Sequence, residues 1–308
     1  MPSPLLSAED APSYEHLYYL NEQELAFFQS QTGIQNEDDL KQHIMDVRTE
    51  ALKVTPYTCI KAFVYTKLIA SRLPAYPQAI QLGIQRKGAI WLDIGCCFGV
   101  DVRKAVADGI PAENAIGSDI HPEYWDLGHR LFRTTSKKFP ASFLGGDAFD
   151  PDFFRMAPPL ESPPEGPPPT PATLSTLTPL NGHVSIIHVS SVFHLFDEEQ
   201  QLELARKLAG LLSPLPGSTI IGLHVGRAEK GLRTEGQVTR SGNYMFCHSP
   251  DSWKELWDGT VFQKGKVEVK ASLLTPDELL GREAAERGGL TSGRSVAQNL
   301  LVWSVTRL

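Results

Sequence analysis

The stretch that decides the fold is Trp91-Leu92-Asp93-Ile94-Gly95-Cys96-Cys97-Phe98-Gly99. An apolar strand ends here in a glycine-containing turn, and residues 100–108 have the pattern of a following helix. Two more apolar runs end in acids, at Asp119 and Asp147, and Asp119 lies twenty residues after Gly99. Doubly wound α/β domains bind nucleotides at the carboxyl ends of their strands and place an acid for the ribose at about this distance. The stretch therefore predicts an α/β sheet with a nucleotide-like ligand at its edge.

The spacing of the glycines narrows the choice of nucleotide. A dinucleotide fingerprint, G-x-G-x-x-G counted from Gly95, would need glycines at the positions of Cys97 and Val100. A phosphate-binding loop would need a Gly-Lys-Ser/Thr ending, which this stretch lacks. The spacing disfavours a nicotinamide oxidoreductase, which remains the rival enzyme on the same fold.

The pattern Asp93-x-Gly95-x-x-x-Gly99 resembles the first motif of class I S-adenosylmethionine-dependent methyltransferases, with Cys97 at the usual middle glycine. Residues 93–103 are similar to the D-x-G-C-C-F-G-x-D loop of fungal natural-product methyltransferases, which include enzymes of meroterpenoid pathways. Three further segments match, and the resemblance covers roughly residues 14–260 outside a proline-rich insert. The three segments are residues 56–60, 118–132 and 193–197.

The resemblance implies an α/β, Rossmann-like class I methyltransferase sheet of seven strands that ends in an antiparallel pair and carries an N-terminal helical cap. Residues 1–13 are expected to be disordered, because they offer little to bury. Residues 14–85 are expected to form the cap or substrate lid, and residues 86–308 the methyltransferase core. Within the core, residues 157–180 hold nine prolines and are expected to form a surface loop, since proline interrupts helices and sheets.

The resemblance also implies S-adenosylmethionine as the cofactor. Asp119 is expected to accept bonds from the ribose hydroxyls and Asp147 from the adenine amino group, with Ile120 against the adenine ring. His188 is expected at the methionine end, where Asp93 steadies the loop or holds the ammonium. The full set lies at the ends of predicted strands and comprises Asp93, Gly95, Cys97, Gly99, Asp119, Ile120, Asp147, Ala148 and His188.

Methyl transfer from a sulfonium is an in-line displacement that needs the acceptor atom about 3–3.5 Å from the methyl carbon. A phenol acceptor must lose its proton near neutral pH, and His194, His224 and His248 are the candidate bases. A carboxylate acceptor is already ionised and needs only a group to orient it. The acceptor wall is expected to use Tyr57, Tyr124, Arg240, Tyr244 and Phe246.

Composition and charge exclude other classes. The chain of 308 residues has 41% hydrophobic and 21% charged residues, which is typical of a globular protein. The net charge of -7 argues against a nucleic-acid or anionic-membrane surface. No apolar run is long enough for a membrane span, and no secretory signal is visible. The four cysteines match neither a disulfide framework nor a zinc site, so no metal is expected and a reducing cytoplasmic setting is favoured.

Together these features predict an enzyme that O-methylates a carboxylate or hydroxyl of a small apolar secondary metabolite, such as a meroterpenoid or polyketide. An N- or C-methyltransferase would differ only in its acceptor pocket. A non-catalytic relative that binds the cofactor is the remaining alternative. A small-molecule acceptor is the expected partner, and the chain is expected to be a monomer or homodimer.

Overall fold

The computed structural model describes residues 14–235, 244–287 and 299–308, and a seven-stranded sheet lies at its centre. The strand order is β3-β2-β1-β4-β5-β9-β8. The first five strands are parallel, and β9 pairs antiparallel with both β5 and β8. The strands are β1 Ile90–Ile94, β2 Ala115–Asp119, β3 Ser142–Gly145, β4 Val184–His188, β5 Thr219–Val225, β8 Val267–Leu274 and β9 Leu300–Arg307, with a separate hairpin of β6 Gly231–Leu232 and β7 Phe246–Cys247. The predicted sheet with its final antiparallel pair is confirmed.

The central strands are mostly apolar on both faces. Every residue of β1, β4 and β5 is buried, as expected for parallel strands that helices cover on both sides. The chain order reverses between β1 and β4, where Asp93 pairs in register with His188. In open α/β sheets ligands bind at the carboxyl ends of the strands at this reversal point.

Helices flank the sheet, and the first four of them form the N-terminal part of the described chain. Five helices begin after a residue type that favours the N-cap position, and the side chain of that residue accepts a hydrogen bond from the first helical turn. These N-cap residues are Asn21, Asn36, Asp197, Ser249 and Thr275. The helices are α1 Glu22–Thr32, α2 Glu37–Val54, α3 Thr58–Lys61, α4 Tyr76–Gln85, α5 Val100–Ala107, α6 Pro122–Leu131, α7 Glu198–Leu211, α8 Pro250–Trp257, α9 Pro276–Leu280 and α10 Arg282–Arg287. None of the described helices is long and apolar enough to cross a membrane.

The N-terminal helices pack against the side of the sheet that carries the glycine loop. Their apolar side chains share one cluster with Phe98 from the loop and with Tyr124 and Phe132 from α6 and its end. A buried ion pair joins α1 to the segment before α4: Glu24 contacts Lys67 Nζ at 3.1 Å and Arg72 Nη2 at 2.7 Å. This packing places the helical segment beside the predicted cofactor loop.

The proline-rich segment has no strand and only short 3₁₀ turns, but two of its side chains are buried in the core. Leu177 and Leu180 are fully buried in the main core cluster. Leu177 N–H donates to the carbonyl of Phe153 at 3.0 Å, and Arg307 Nη2 donates to the carbonyl of Leu160 at 2.8 Å. The segment is therefore attached to the core near both of its ends, at Leu160 and at Leu177. The many prolines around these leucines hid this attachment in the sequence.

Candidate functional site

The glycine loop after β1 has an unusual backbone. Gly95, Cys97 and Gly99 have φ values of 74°, 49° and 65°, in the left-handed region that side chains disfavour. A Cβ at Gly95 would lie 2.5 Å from Val192 Cγ2, and one at Gly99 would lie 2.5 Å from Trp125. Both glycines are therefore required by packing as well as by backbone angle. Cys97 adopts the same region with a side chain, so other contacts must hold it there.

Asp119 provides that contact. Its Oδ2 accepts a bond from Cys97 N–H at 2.9 Å, and its Oδ1 accepts one from His121 N–H at 3.0 Å. Burial raises the pKa of the Asp119 carboxyl, although these two bonds favour its ionised form. Each carboxylate oxygen can accept more than one hydrogen bond, so Asp119 can still accept bonds from ribose hydroxyls as predicted. The sequence did not indicate that Asp119 also shapes the glycine loop.

Next to it, Ile120 is 53% exposed at the carboxyl end of β2, where it is available to a flat apolar group. Asp147 lies exposed after β3, and its Oδ1 accepts from Phe149 N–H at 2.9 Å in a tight turn. Ala148 follows it, with its carbonyl accepting a 2.8 Å bond from Lys207. Because Asp119 and Gly145 are paired in register, the two acidic turns lie side by side at one edge.

A buried chain of polar groups occupies the point where the strand order reverses. His188 Nδ1 lies 2.7 Å from Asp93 Oδ1, and His188 Nε2 lies 2.8 Å from Ser190 Oγ. Asp93 and His188 are 3% and 2% exposed. Burial would lower the pKa of His188, but the carboxyls of Asp93 and Asp101 raise it above its usual range. The structure thus turns Asp93 toward His188, not toward the loop alone.

The three candidate catalytic histidines lie near one another: His224 is in β5, His194 follows β4, and His248 follows β7. Both His224 and His248 contact the ring of Trp253, at centroid distances of 4.6 and 5.2 Å. Burial lowers the pKa of His194 to about 4, helped by Arg233, and that of His248 to about 4, helped by Lys230. Burial and the other two histidines also hold the pKa of His224 well below its usual range. All three imidazoles are therefore neutral at physiological pH.

One of these imidazoles has an assigned tautomer. Trp303 Nε1–H donates to His224 Nδ1 at 3.0 Å, so the neutral ring carries its proton on Nε2. His224 Nε2 has no partner among the described residues, and the same holds for His194 Nδ1 and His248 Nε2. Unpaired buried polar atoms are costly, and a group of them suggests a site that a polar ligand completes.

The predicted acceptor residues that the structure describes lie in two places, beside His121 and beside His248. Tyr57 hydroxyl lies 3.3 Å from His121 Nε2, and its ring packs near Tyr124. Tyr124 itself is 1% exposed, and its hydroxyl donates to the carbonyl of Thr55 at 2.8 Å, so it joins α6 to the N-terminal helices. Phe246 lies in the β6–β7 hairpin and contacts the ring of His248.

Tyr244, just before that hairpin strand, is 41% exposed. Arg240 lies outside the described residues.

The structure also shows the state of the cysteines and the arrangement of possible metal ligands. All four cysteines are free thiols, and burial raises the pKa of Cys96 and Cys97 well above the usual range. Within residues 14–235, 244–287 and 299–308, no three His, Cys, Asp or Glu side chains are arranged to hold a metal ion. The described thiols are therefore poor nucleophiles at neutral pH.

Sequence reasoning missed Ser190, Asp101 and Trp303. Ser190 contacts His188, which in turn contacts Asp93 on β1, and Trp303 Nε1–H donates to His224. Asp101 acts electrostatically on His188. The signals available were Ser190 two residues after a strand-terminal histidine and Asp101 in the first turn of α5. Neither signal is specific without the register of β1 against β4.

The site fits the chemistry of the cofactor that the motif implies. The carboxyl edge of the sheet carries acids at positions 93, 101, 119 and 147, and burial raises the pKa of Asp101 to about 6. Such an edge suits a ligand with a sulfonium, an ammonium and ribose hydroxyls, but it would repel the pyrophosphate of a dinucleotide. Asp119 and Ile120 would hold the nucleoside, and the groups around Asp93 and His188 would hold the methionine end.

Comparisons with known proteins agree with this chemistry. Residues 13–66 match the family model of the meroterpenoid methyltransferase N-terminal domain. The chain is 32% identical to the O-methyltransferase phiE of a fungal species (strain ATCC 74256), over 72% of this chain and 65% of phiE. It is 31% identical to the asnovolin E/chermesin D methyltransferase nvfJ of Aspergillus novofumigatus, over 71% of this chain and 69% of nvfJ.

Among solved structures, one of the plantazolicin methyltransferase BamL, in complex with a triazolic desmethylPZN analog and SAH, is 15% identical. It aligns with a TM-score of 0.48 over 92% of this chain and 97% of BamL.

Proposed function

We propose that this chain, which belongs to the family of fungal methyltransferases that includes nvfJ, transfers the methyl group of S-adenosylmethionine to an oxygen of a small apolar secondary metabolite. The single observation that carries the choice of cofactor is the acidic carboxyl edge of the sheet, with an exposed Ile120 beside Asp119. When bound, S-adenosylmethionine supplies an electrophilic methyl group.

The protein's contribution would be mainly to hold and align the reactants. The loop of Gly95 to Gly99 and the Asp119 carboxylate would fix the nucleoside, and the cluster around Asp93 and His188 would fix the methionine end. Ala148 and Asp147 would close over the adenine. Alignment within about 3–3.5 Å of the methyl carbon can supply most of the acceleration of a displacement.

We propose that His194, His224 and His248 line the acceptor side. A base whose pKa is about 4, as for His194 and His248, is poorly matched to a hydroxyl acceptor near neutral pH. The Nε2–H of His224 can instead donate to an acceptor oxygen, because Trp303 occupies Nδ1. This arrangement favours a carboxylate acceptor, which needs orientation without deprotonation, over a hydroxyl.

The apolar part of the acceptor would lie against aromatic side chains. Tyr57 and Phe246 contribute rings next to histidines, and Tyr124 fixes the Tyr57 side by its bond to the N-terminal segment. Tyr244, exposed just before β7, completes the described part of the proposed wall. Arg240 stays the sequence-based candidate for orienting a carboxylate acceptor. The helices of residues 14–85 would then act as the lid over cofactor and acceptor.

Parallel calorimetric titrations with S-adenosylmethionine, S-adenosylhomocysteine and NADH test the proposed cofactor. Micromolar binding of the two adenosyl compounds, without binding of NADH, is the expected result. Binding of NADH alone would overturn the proposal in favour of an oxidoreductase. Binding of the adenosyl compounds without methyl transfer to any acid, alcohol, amine or carbon acid of an acceptor panel would point to a non-catalytic relative.

The product formed in the same panel separates O-methylation from the alternatives. Incubation with methyl-labelled S-adenosylmethionine and a hydroxybenzoic acid allows either an ester or an ether to form. An ester that mild base hydrolyses is expected from a carboxylate acceptor. A base-stable ether would show that a hydroxyl is preferred, and an N- or C-methyl product would contradict O-methylation.

A further inference from the structure

The side chains of Asp93, His188 and Ser190 form one continuous series of hydrogen bonds. Asp93 lies on β1, His188 on β4, and Ser190 two residues beyond the end of β4, with contacts of 2.7 and 2.8 Å. The first two groups are buried, whereas Ser190 is only partly buried. A linear chain of this kind fixes the direction in which the last hydroxyl points.

Ser190 also lies at the proposed methionine end. Val192, two residues later, is the side chain that a Cβ on Gly95 would meet at 2.5 Å. Ser191 between them has φ of 60° and donates its N–H to the carbonyl of Leu223 at 2.7 Å. The segment after β4 is therefore held over the first glycine of the cofactor loop, with Ser190 at its base.

The charged groups around His188 lie on β1, β2 and α5. Asp93 on β1 and Asp101 on α5 both act on His188, and Lys104 on α5 acts on Asp101. Asp119 on β2 interacts with Asp93. The Trp91 ring stacks on the imidazole at 6.1 Å. The local charge is thus negative whenever His188 is neutral, which is the condition that attracts a cation.

The geometry points to Ser190 as the hydrogen-bond acceptor for the α-ammonium of the cofactor, with displacement of a proton from the His188 cluster when the ammonium binds. This inference rests on the proposed function. It adds a positioning residue and a proton linkage that neither the motif nor the family membership supplies.

The positions of the protons on the three groups decide which form of His188 the ammonium prefers. With neutral His188, Nδ1–H donates to Asp93 and Nε2 accepts the hydroxyl proton of Ser190, so both lone pairs of Oγ are available to an ammonium. With protonated His188, Nε2–H takes one of these lone pairs and the hydroxyl proton turns outward, toward the incoming cation. The ammonium therefore selects the neutral imidazole, and the displaced proton goes to solvent without any change in covalent bonding.

The test uses two probes that differ in the amino-acid group. S-adenosylhomocysteine carries the ammonium, and 5′-methylthioadenosine lacks it. Calorimetry in buffers of different ionisation enthalpy measures the protons released, at pH values from 6 to 8. We expect release of up to one proton with S-adenosylhomocysteine, and a gain in its affinity of up to about tenfold per pH unit where release is complete. The thioadenosine is expected to bind without proton release.

The variants separate positioning from folding. Ser190→Ala should weaken S-adenosylhomocysteine binding about tenfold and change thioadenosine binding less than twofold. His188→Asn should abolish proton release, and Ser162→Ala, at an exposed serine of the proline-rich segment, should leave both affinities and the proton release unchanged. Equal loss of both probes in Ser190→Ala, or wild-type binding of S-adenosylhomocysteine without proton release, would overturn the inference. Failure of the wild-type protein to bind either probe would instead remove the proposed function, and the inference with it.

Discussion

Replacement of Asp119 offers the strongest single test of how the site is built. The carboxylate accepts two backbone bonds, from Cys97 at 2.9 Å and from His121 at 3.0 Å, and we propose that it also accepts the ribose hydroxyls. A hydrogen bond to a charged group contributes about 1.5–3 kcal/mol. Asp119→Ala should therefore reduce affinity for S-adenosylhomocysteine by roughly tenfold to a hundredfold, since both the ribose contact and the loop geometry are lost.

The assay combines calorimetric affinity with thermal unfolding of the free protein. Asp119→Asn is the matched variant, because it keeps the size of the side chain but places an amide N–H₂ against one backbone donor. It should lose nearly as much affinity as Asp119→Ala. Glu123→Gln, at an exposed acid in the first turn of α6, is the control and should bind normally. Affinity of Asp119→Ala within twofold of the wild type, with a lowered melting temperature, would refute the ribose role and leave only the structural one.

Three further predictions concern stability. Gly95→Ala should destabilise the fold by about 1–3 kcal/mol in urea unfolding, because the new Cβ would meet the side chain of Val192. Gly166→Ala is the control and should cost less, because Gly166 has a φ of 86° but open space around it. Equal losses in the two variants would contradict the packing argument. Glu24→Gln should cost about 3 kcal/mol in urea unfolding, since it leaves the buried ammonium of Lys67 without its carboxylate partner. Glu50→Gln at an exposed pair should change the free energy of unfolding by under about 0.5 kcal/mol, and similar losses in the two variants would show that the buried pair has no special role. Burial lowers the pKa of His248 from 6.5 to about 4, so as the pH drops the unfolded chain is protonated first and the free energy of unfolding should fall between pH 6.5 and 4. In His248→Asn the free energy of unfolding in urea should depend less steeply on pH over this range. An unchanged dependence would assign the effect to other groups.

The sheet could be predicted well because its strands are buried on both faces. Short, mostly apolar runs such as Ile90–Ile94 and Val184–His188 are typical of buried parallel strands, and the turn after the first of them carries the motif. The acids at the strand ends were placed correctly at one edge for the same reason. Parallel strands bring their carboxyl ends together whatever the helices between them do.

The contacts within the site could not be predicted, because they depend on register and on distant packing. Trp303 meets His224 only because β9 runs antiparallel to β5, with Trp303 opposite Gly222. The pairing of Asp93 with His188 likewise follows from the register of β1 against β4. The burial of Leu177 and Leu180 was hidden by the prolines around them. Local patterns carry no information on such pairs.

The most direct test of the central claim is hydrogen exchange measured by mass spectrometry, with and without S-adenosylhomocysteine. We expect slower exchange in the turns after β1, β2, β3 and β4, at residues 93–101, 117–121, 145–149 and 188–193, because the ligand binds where the strand order reverses. Protection of some other surface, with these four turns unchanged, would contradict the proposed site.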